Sequence, residues 1–347
     1  MGIQIKIGPR ALATTAATGA AIGAAVAAQR RHLRALARDD DYLELTAPLG
    51  GRPIQVTSAD GTVLHAEAFG PDDAPTLVLA HGWTEALRFW GPVIKLLRRR
   101  GLRVVAYDLR GHGRSEPAAG GDYALERFGE DVEAVLAAAV EGDRRATVAG
   151  HSLGAMSIAA WAEHHDPGAR AQAAALINTG LGDLLASHLV LGEAAKWLNH
   201  PRASRAVLGA NVKVPPFSTP LQQAVIRHVA FGPDATAAQI AFYEQMLIEC
   251  PSDVRAACGV AVSDMNLWHA IANLTIPTLV VAGDRDRLTP PEHSRRIARE
   301  LPRPAGLVEL SDTGHMSPLE RPSELSDLLE RLARESTTAP SVVGERR

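Results

Sequence analysis

Five short stretches of this chain are apolar almost without interruption: Thr76–Ala80 (TLVLA), Leu102–Tyr107 (LRVVAY), Ala146–Ala149 (ATVA), Ala173–Ile177 (AAALI) and Thr278–Ala282 (TLVVA). A strand with one wet face alternates and a strand buried on both faces does not, so these runs predict parallel strands covered by helices on either side. The segments between them supply the covers: 90–100, 124–141 and 153–164 have helical length and suit right-handed crossovers. Val63–Phe69 (VLHAEAF), after the turn pair Asp60-Gly61, alternates instead and predicts a half-exposed antiparallel strand. Gly306–Leu310 is expected to be the last strand of the sheet. The expectation is an α/β chain with a mostly parallel, doubly wound sheet, helices on both faces and antiparallel strands leading it. Its 347 residues suffice for two units or for one large unit carrying an insertion.

Where the third run ends, the chain reads Gly150-His151-Ser152-Leu153-Gly154. A G-x-S-x-G sequence gains meaning from standing between a strand and a helix, as this one is expected to. Gly150 and Gly154 let the two elements approach around a strained turn. The turn lifts the Ser152 hydroxyl above the sheet at a helix N-terminus, where the helix dipole favours negative charge. Further segments follow a fixed order: His81-Gly82-Trp83 directly after the first buried run, Asp108-Leu109-Arg110-Gly111-His112-Gly113-Arg114-Ser115, Gly283-Asp284-Arg285-Asp286-Arg287-Leu288-Thr289-Pro290, and Thr313-Gly314-His315. Together, over about residues 53–333, these segments resemble the α/β-hydrolase fold in its lipase, esterase and haloperoxidase-like branch.

The resemblance implies a serine hydrolase that cleaves a carboxylic ester of an apolar small molecule or lipid through an acyl-enzyme. A serine hydroxyl is a poor nucleophile at neutral pH and needs an adjacent base that titrates near working pH, a requirement histidine meets. The expected catalytic set is Ser152, His315 and Asp286, in the chain order nucleophile, acid, histidine. Asp286 is chosen over Asp284 because it occupies the G-x-x-D-x-x-x-P position that the family uses; Asp284 reads as a turn residue or a surface partner of Arg285 or Arg287. Asp264 and Asp312 read as loop or solvent acids. His81 and His112 lie in motifs that resemble structural loops, while His164, His165 and His200 fall where surface helices or loops are expected. The implied oxyanion donors are the backbone N–H groups of Trp83 and Leu153. The Trp83 side chain has two open readings, a wall of the acyl pocket or simple packing. Asp108 and Arg110 are expected to brace the oxyanion strand. Epoxide hydrolases and haloalkane dehalogenases resemble this architecture but use an aspartate nucleophile, a route closed to Ser152. Carbon–carbon hydrolysis, acyl transfer, haloperoxidase-type chemistry and a non-catalytic ligand-binding protein on the same fold remain open alternatives. No metal and no cofactor is expected.

The expected core comprises residues 50–180 and 276–333, separated by an inserted helical cap over 181–275, a span too long for a simple connection. Trp197, Phe217, Phe231, Phe242, Tyr243, Met246, Leu247 and Trp268 are its large apolar residues, most expected to form its own core and a few to line an apolar pocket above Ser152. Residues 335–347 read as a flexible tail. Residues 1–38 carry Lys6, Arg10, Arg30, Arg31, Arg34 and Arg38 and no acid, ending abruptly at Asp39-Asp40-Asp41. Within them, 11–28 is an uncharged Ala-rich run whose only strong hydrophobes are Leu12, Ile22 and Val26. It reads as a leader or as a membrane-attachment segment. The arginines that follow it oppose export, so a cytoplasmic main domain is expected over secretion. The net charge of −3 offers no field for nucleic acid, and the two cysteines, Cys250 and Cys258, have no zinc or disulfide spacing. The expected partner is an apolar ester substrate, and the oligomeric state is not legible.

Overall fold

The computed structural model describes residues 29, 31, 34–182, 201–215 and 217–338. Eight strands form one sheet: β1 (Arg52–Thr57), β2 (Val63–Phe69), β3 (Thr76–Ala80), β4 (Arg103–Tyr107), β5 (Ala146–His151), β6 (Ala171–Ile177), β7 (Thr278–Gly283) and β8 (Pro304–Leu310). Their spatial order is β1-β2-β4-β3-β5-β6-β7-β8. β1–β2 and β2–β4 pair antiparallel and all later pairs are parallel.

The uninterrupted apolar runs follow from layering. In β3, Val78 and Ala80 join one core layer and Leu77 and Leu79 the other, because successive side chains leave opposite faces. The first layer is closed by helices α3 (Leu125–Ala139) and α4 (Leu153–His164), through residues such as Phe128, Val132, Ile158 and Trp161. The second is closed by α2 (Gly91–Arg99) through Val93, Ile94 and Leu97, and by α10 (Pro322–Thr338) through Leu325 and Leu329. Helix α9 (Pro291–Glu300) links β7 to β8. Because α10 runs to Thr338, the first residues of the expected flexible tail are helical instead.

Between β6 and β7 lie the helices of the insertion: α5 (Pro201–Leu208), α6 (Pro220–Ala230), α7 (Ala237–Glu249) and α8 (Ser252–Ser263). Side-chain caps start two of them. Thr219 accepts from Gln222 N at the head of α6, and Thr236 with Gln239 forms a reciprocal capping box on α7. The expectation that most of the insertion's apolar residues form a core of their own does not hold. Phe231, Ile240, Phe242, Tyr243 and Met246 pack into the second layer of the main body, and Val254 and Cys258 into the first. The helices thus extend the existing layers. Phe217 is exposed, and Trp197 and His200 lie outside the described residues. Helix α1 (Asp40–Thr46) rests on α7, where the Tyr42 hydroxyl donates to Gln245 Oε1 at 3.2 Å. The run 11–28 also lies outside the described residues, and among those described no helix is long and apolar enough to cross a membrane.

Candidate active site

Every sequence-selected group sits at the C-terminal end of a strand or in the loop after it, where an open parallel sheet leaves a crevice. Ser152 stands between β5 and α4 with φ 50° and ψ −115°, a left-handed conformation that costs a non-glycine residue about 1–3 kcal/mol. The surroundings hold it there: Ser152 N donates to Ile177 O at 2.9 Å, and Thr179 Oγ1 donates to Ser152 O at 3.0 Å. Gly154 has to lack a side chain, since a methyl there would run into the carbonyl oxygens of Ala80 and His81 at the end of β3. The Ser152 side chain is half-buried, and its hydroxyl makes no hydrogen bond among the described residues.

Asp286 and His315 are brought together. His315 Nδ1 faces Asp286 Oδ2 at 2.8 Å, with the carboxylate fully enclosed. Asp286 Oδ1 accepts the N–H groups of Leu288 and Thr289 at 2.8 and 2.9 Å; Oδ2 also accepts from Thr289 Oγ1 and Asn178 Nδ2, at 2.8 and 2.9 Å. Burial pushes the carboxyl up, but the His315 ring and these donors outweigh it and hold Asp286 below the usual carboxylate range. With Nδ1 facing the carboxylate, His315 Nε2 is left without a partner among the described residues. Asp284 is exposed and caps the loop by accepting Thr313 N at 3.1 Å. Asp312 pairs with Arg285 at 3.3 Å and Asp264 with Arg205, both at the surface.

The Trp83 and Leu153 N–H groups make no hydrogen bond among the described residues. Trp83 is half-buried beside α8, close against Gly259. The next residue, Thr84, has φ 65°, a severe strain for a β-branched side chain. It is restrained by His112 Nε2, which accepts its N–H at 3.3 Å, and by Tyr243 OH of α7, 3.1 Å from its Oγ1. His81 Nε2 accepts Leu109 N at 2.9 Å while Nδ1 faces Gly82 O at 2.7 Å. His81 and His112 therefore each have one nitrogen on a donor and one on an acceptor, and burial favours the neutral form of both. Asp108, expected to brace the oxyanion strand, accepts Leu87 N at 2.6 Å and Arg114 N at 3.0 Å. Arg110 does not brace that strand. It clamps α3 to the β1–β2 turn through Asp131 at 2.6 and 2.7 Å and Asp60 at 2.8 Å. Its long side chain reaches past the loop to the buried Asp131 carboxylate.

Sequence reasoning missed four supports: Glu85, Asn178, Thr289 and Glu320. Asn178 adopts φ 47° at the end of β6 and joins Asp286 to Ser317 Oγ, which donates to Asn178 Oδ1 at 2.5 Å. Glu320 accepts the N–H groups of Gly232, Gly314 and Met316, fixing the His315 loop. A polar residue at the end of an apolar run was a usable signal for Asn178; Glu320 carried none. No cluster of metal-binding side chains occurs among the described residues.

A family model described as Serine aminopeptidase, S33 (Hydrolase_4) matches residues 72–320, well over half of the chain. The chain belongs to this α/β-hydrolase family. It is 36% identical to a non-heme chloroperoxidase of Streptomyces lividans over 120 residues, which are 34% of this chain and 42% of that protein. It is 24% identical to 3-oxoadipate enol-lactonase 1 of Acinetobacter baylyi over 290 residues, 78% of this chain and 93% of that one. The chain thus spans less than half the length of the chloroperoxidase it matches. A thermophilic esterase structure from Thermogutta terrifontis superposes with a TM-score of 0.67 at 20% identity, covering 83% of this chain and 100% of that one, a likeness of fold. Its eight-stranded, mostly parallel sheet is the architecture expected from the apolar runs.

Proposed function

We propose that the protein hydrolyses carboxylic esters of apolar molecules through an acyl-enzyme on Ser152. The observation that carries this is the enclosed Asp286–His315 contact at 2.8 Å, which leaves Nε2 unpartnered in the loop bonded to the nucleophile turn. In the first step Ser152 Oγ forms a bond to the ester carbonyl carbon as its proton passes to His315 Nε2. The carbonyl oxygen becomes an oxyanion met by the N–H groups of Trp83 and Leu153. Its collapse breaks the carbon–oxygen bond, and the leaving alkoxide takes the proton from Nε2. Water then repeats the sequence on the acyl-enzyme, giving the acid and free Ser152. Asp286 keeps Nδ1 protonated and stabilises the imidazolium without accepting its proton.

A second reading changes only the last step. The 36% identity to a non-heme chloroperoxidase favours hydrogen peroxide as an alternative nucleophile, turning the acyl-enzyme into a peracid and free serine. An apolar substrate is supported by Trp83 beside the oxyanion position and by the apolar helices packed next to it. A membrane contact through residues 11–28 and a cytoplasmic main domain complete the reading, on the charge bias of the sequence.

The test is the initial rate across aryl esters of increasing acyl length, with Ser152→Ala beside the parent and fluorophosphonate labelling of both. Turnover and labelling should vanish in the folded variant, with a residual rate at least about 10⁴-fold below the parent. Full esterase activity in Ser152→Ala would sink the reading. Labelling of Ser152 without turnover of any ester would assign it another electrophile.

A further inference from the structure

The x residue before the serine, His151, differs from the other enclosed histidines. Both of its ring nitrogens face acceptors. Nδ1 lies 3.0 Å from Glu85 Oε1 and 3.1 Å from Oε2, and Nε2 lies 2.8 Å from the carbonyl oxygen of His315. A carbonyl oxygen cannot donate, so Nε2 must; a carboxylate cannot donate either, so Nδ1 must as well. With Glu85 ionised the arrangement is an imidazolium paired with a carboxylate, the Glu85 charge drawing the second proton to the ring although both side chains are at 1% exposure or less. Glu85 has a further role in the same place: Oε2 accepts the Gly82 N–H at 2.5 Å, immediately before the oxyanion residue Trp83. A Cβ on Gly82 would press on both members of the pair, 2.9 Å from His151 Nδ1 and 3.0 Å from Glu85 Oε2. Phe89 closes one side of the His151 ring and the His315 ring another, each with centroids 4.8 Å away.

We propose that Glu85 and His151 are a positioning pair that ties the oxyanion loop, the nucleophile turn and the base loop into one rigid block, so that Glu85 sets the turnover rate without touching substrate. The inference rests on the serine-hydrolase reading above. The three parts come from distant stretches of chain, and no backbone hydrogen bond among the described residues joins Gly82 to the His315 loop. The pair is the bridge: Gly82 N–H to Glu85, Glu85 to His151, His151 to His315 O. Burial alone would favour neutral His151, and the Glu85 charge overrides it. The other titratable groups around the pair are His81, His112, His315, Asp286 and, from α7, Tyr243, with Asp286 adding to the pull on the proton and His81 remaining neutral.

The experiment uses the full chain. Active sites of the parent and of Glu85→Gln are counted by fluorophosphonate labelling, kcat and KM per labelled site are measured on the best aryl ester, and the histidine side-chain nitrogens are followed by ¹⁵N NMR. A glutamine keeps the size and an acceptor for Gly82 N–H but removes the charge that holds the second proton. The expected result is a fall in kcat per labelled site of about 10- to 100-fold, the scale of a misplaced reacting geometry. KM should stay within about twofold, since no substrate contact is removed. The His151 resonances should move from imidazolium to neutral. A purely structural pair would lower the labelled fraction and leave kcat per site unchanged, which overturns the proposal. So does a neutral His151 in the parent, a measurement that needs no variant to fold. A parent that does not label at all fails the nucleophile reading itself, a distinct outcome that removes this inference with it.

Discussion

The sheet and the insertion solve burial differently. The inner strands of the parallel sheet bring two apolar faces and receive a helix layer on both, so the layers close around the strands themselves. The insertion's helices touch one another, α5 on α8 and α6 on α7, yet their buried apolar side chains join the layers of the main body: Phe242 and Met246 of α7 complete one, and Val254 and Cys258 of α8 the other. The insertion is thus a cover by position and core by packing. Its stability should be inseparable from that of the sheet, and it reaches the site at several contacts: Tyr243 on Thr84, Ala230 O accepting His315 N, Gly232 N donating to Glu320, and Gly259 against Trp83.

Three measurements break or sharpen that contrast. The largest effect belongs to the sheet side: Asp286→Asn should lower turnover about 10³- to 10⁴-fold with the fold retained, since the histidine loses the partner that fixes its tautomer. The same variant carries a pH signature. Asp286 is held below the ordinary carboxylate range, so its contribution to stability is complete above the unfolded value of about 3.9 and is lost as pH falls through the lower folded value. Acid unfolding curves of Asp286→Asn should lack that slope. Next comes Phe242→Ala in α7, expected to cost about 3–5 kcal/mol in a single cooperative transition, as Phe128→Ala in α3 should. A separate low-temperature transition for the insertion, with the main one unmoved, would refute the shared core. The smallest effect is Arg205→Ala, which removes an ion pair with Asp264 whose side chains are 55% and 47% exposed. Chemical denaturation should place it within about 0.5 kcal/mol of the parent.

The same contrast decides what was readable in advance. Strand runs such as Thr76–Ala80 and Val63–Phe69 coincide with β3 and β2, and helix 153–164 with α4, because burial on fixed faces writes itself into local composition. The Ser152 turn was readable for the same reason: its glycines are demanded by neighbours close in sequence. The supports were not. Glu85 meets His151 across 66 positions, Asn178 meets Asp286 across 108 and Tyr243 meets Thr84 across 159, and a polar residue carries no period that points to so distant a partner. Arg110 was misplaced on these grounds, its partner Asp131 lying buried on a helix 21 positions further along the chain. In the insertion even burial was hidden, since helices that pack on a sheet layer share the pattern of helices that pack on each other.

One consequence concerns the order in which the chain is made. The nucleophile turn is complete once β5, α4 and β6 have formed, whereas His315 follows β8, the edge strand, and its loop is fixed by Glu320 and Gly232 together. On the reading proposed here, a chain growing from its N-terminus carries a strained serine through a long stretch of its synthesis with no base to activate it. Reactivity arrives only with the last strand, so an unfinished chain is inert toward the esters around it.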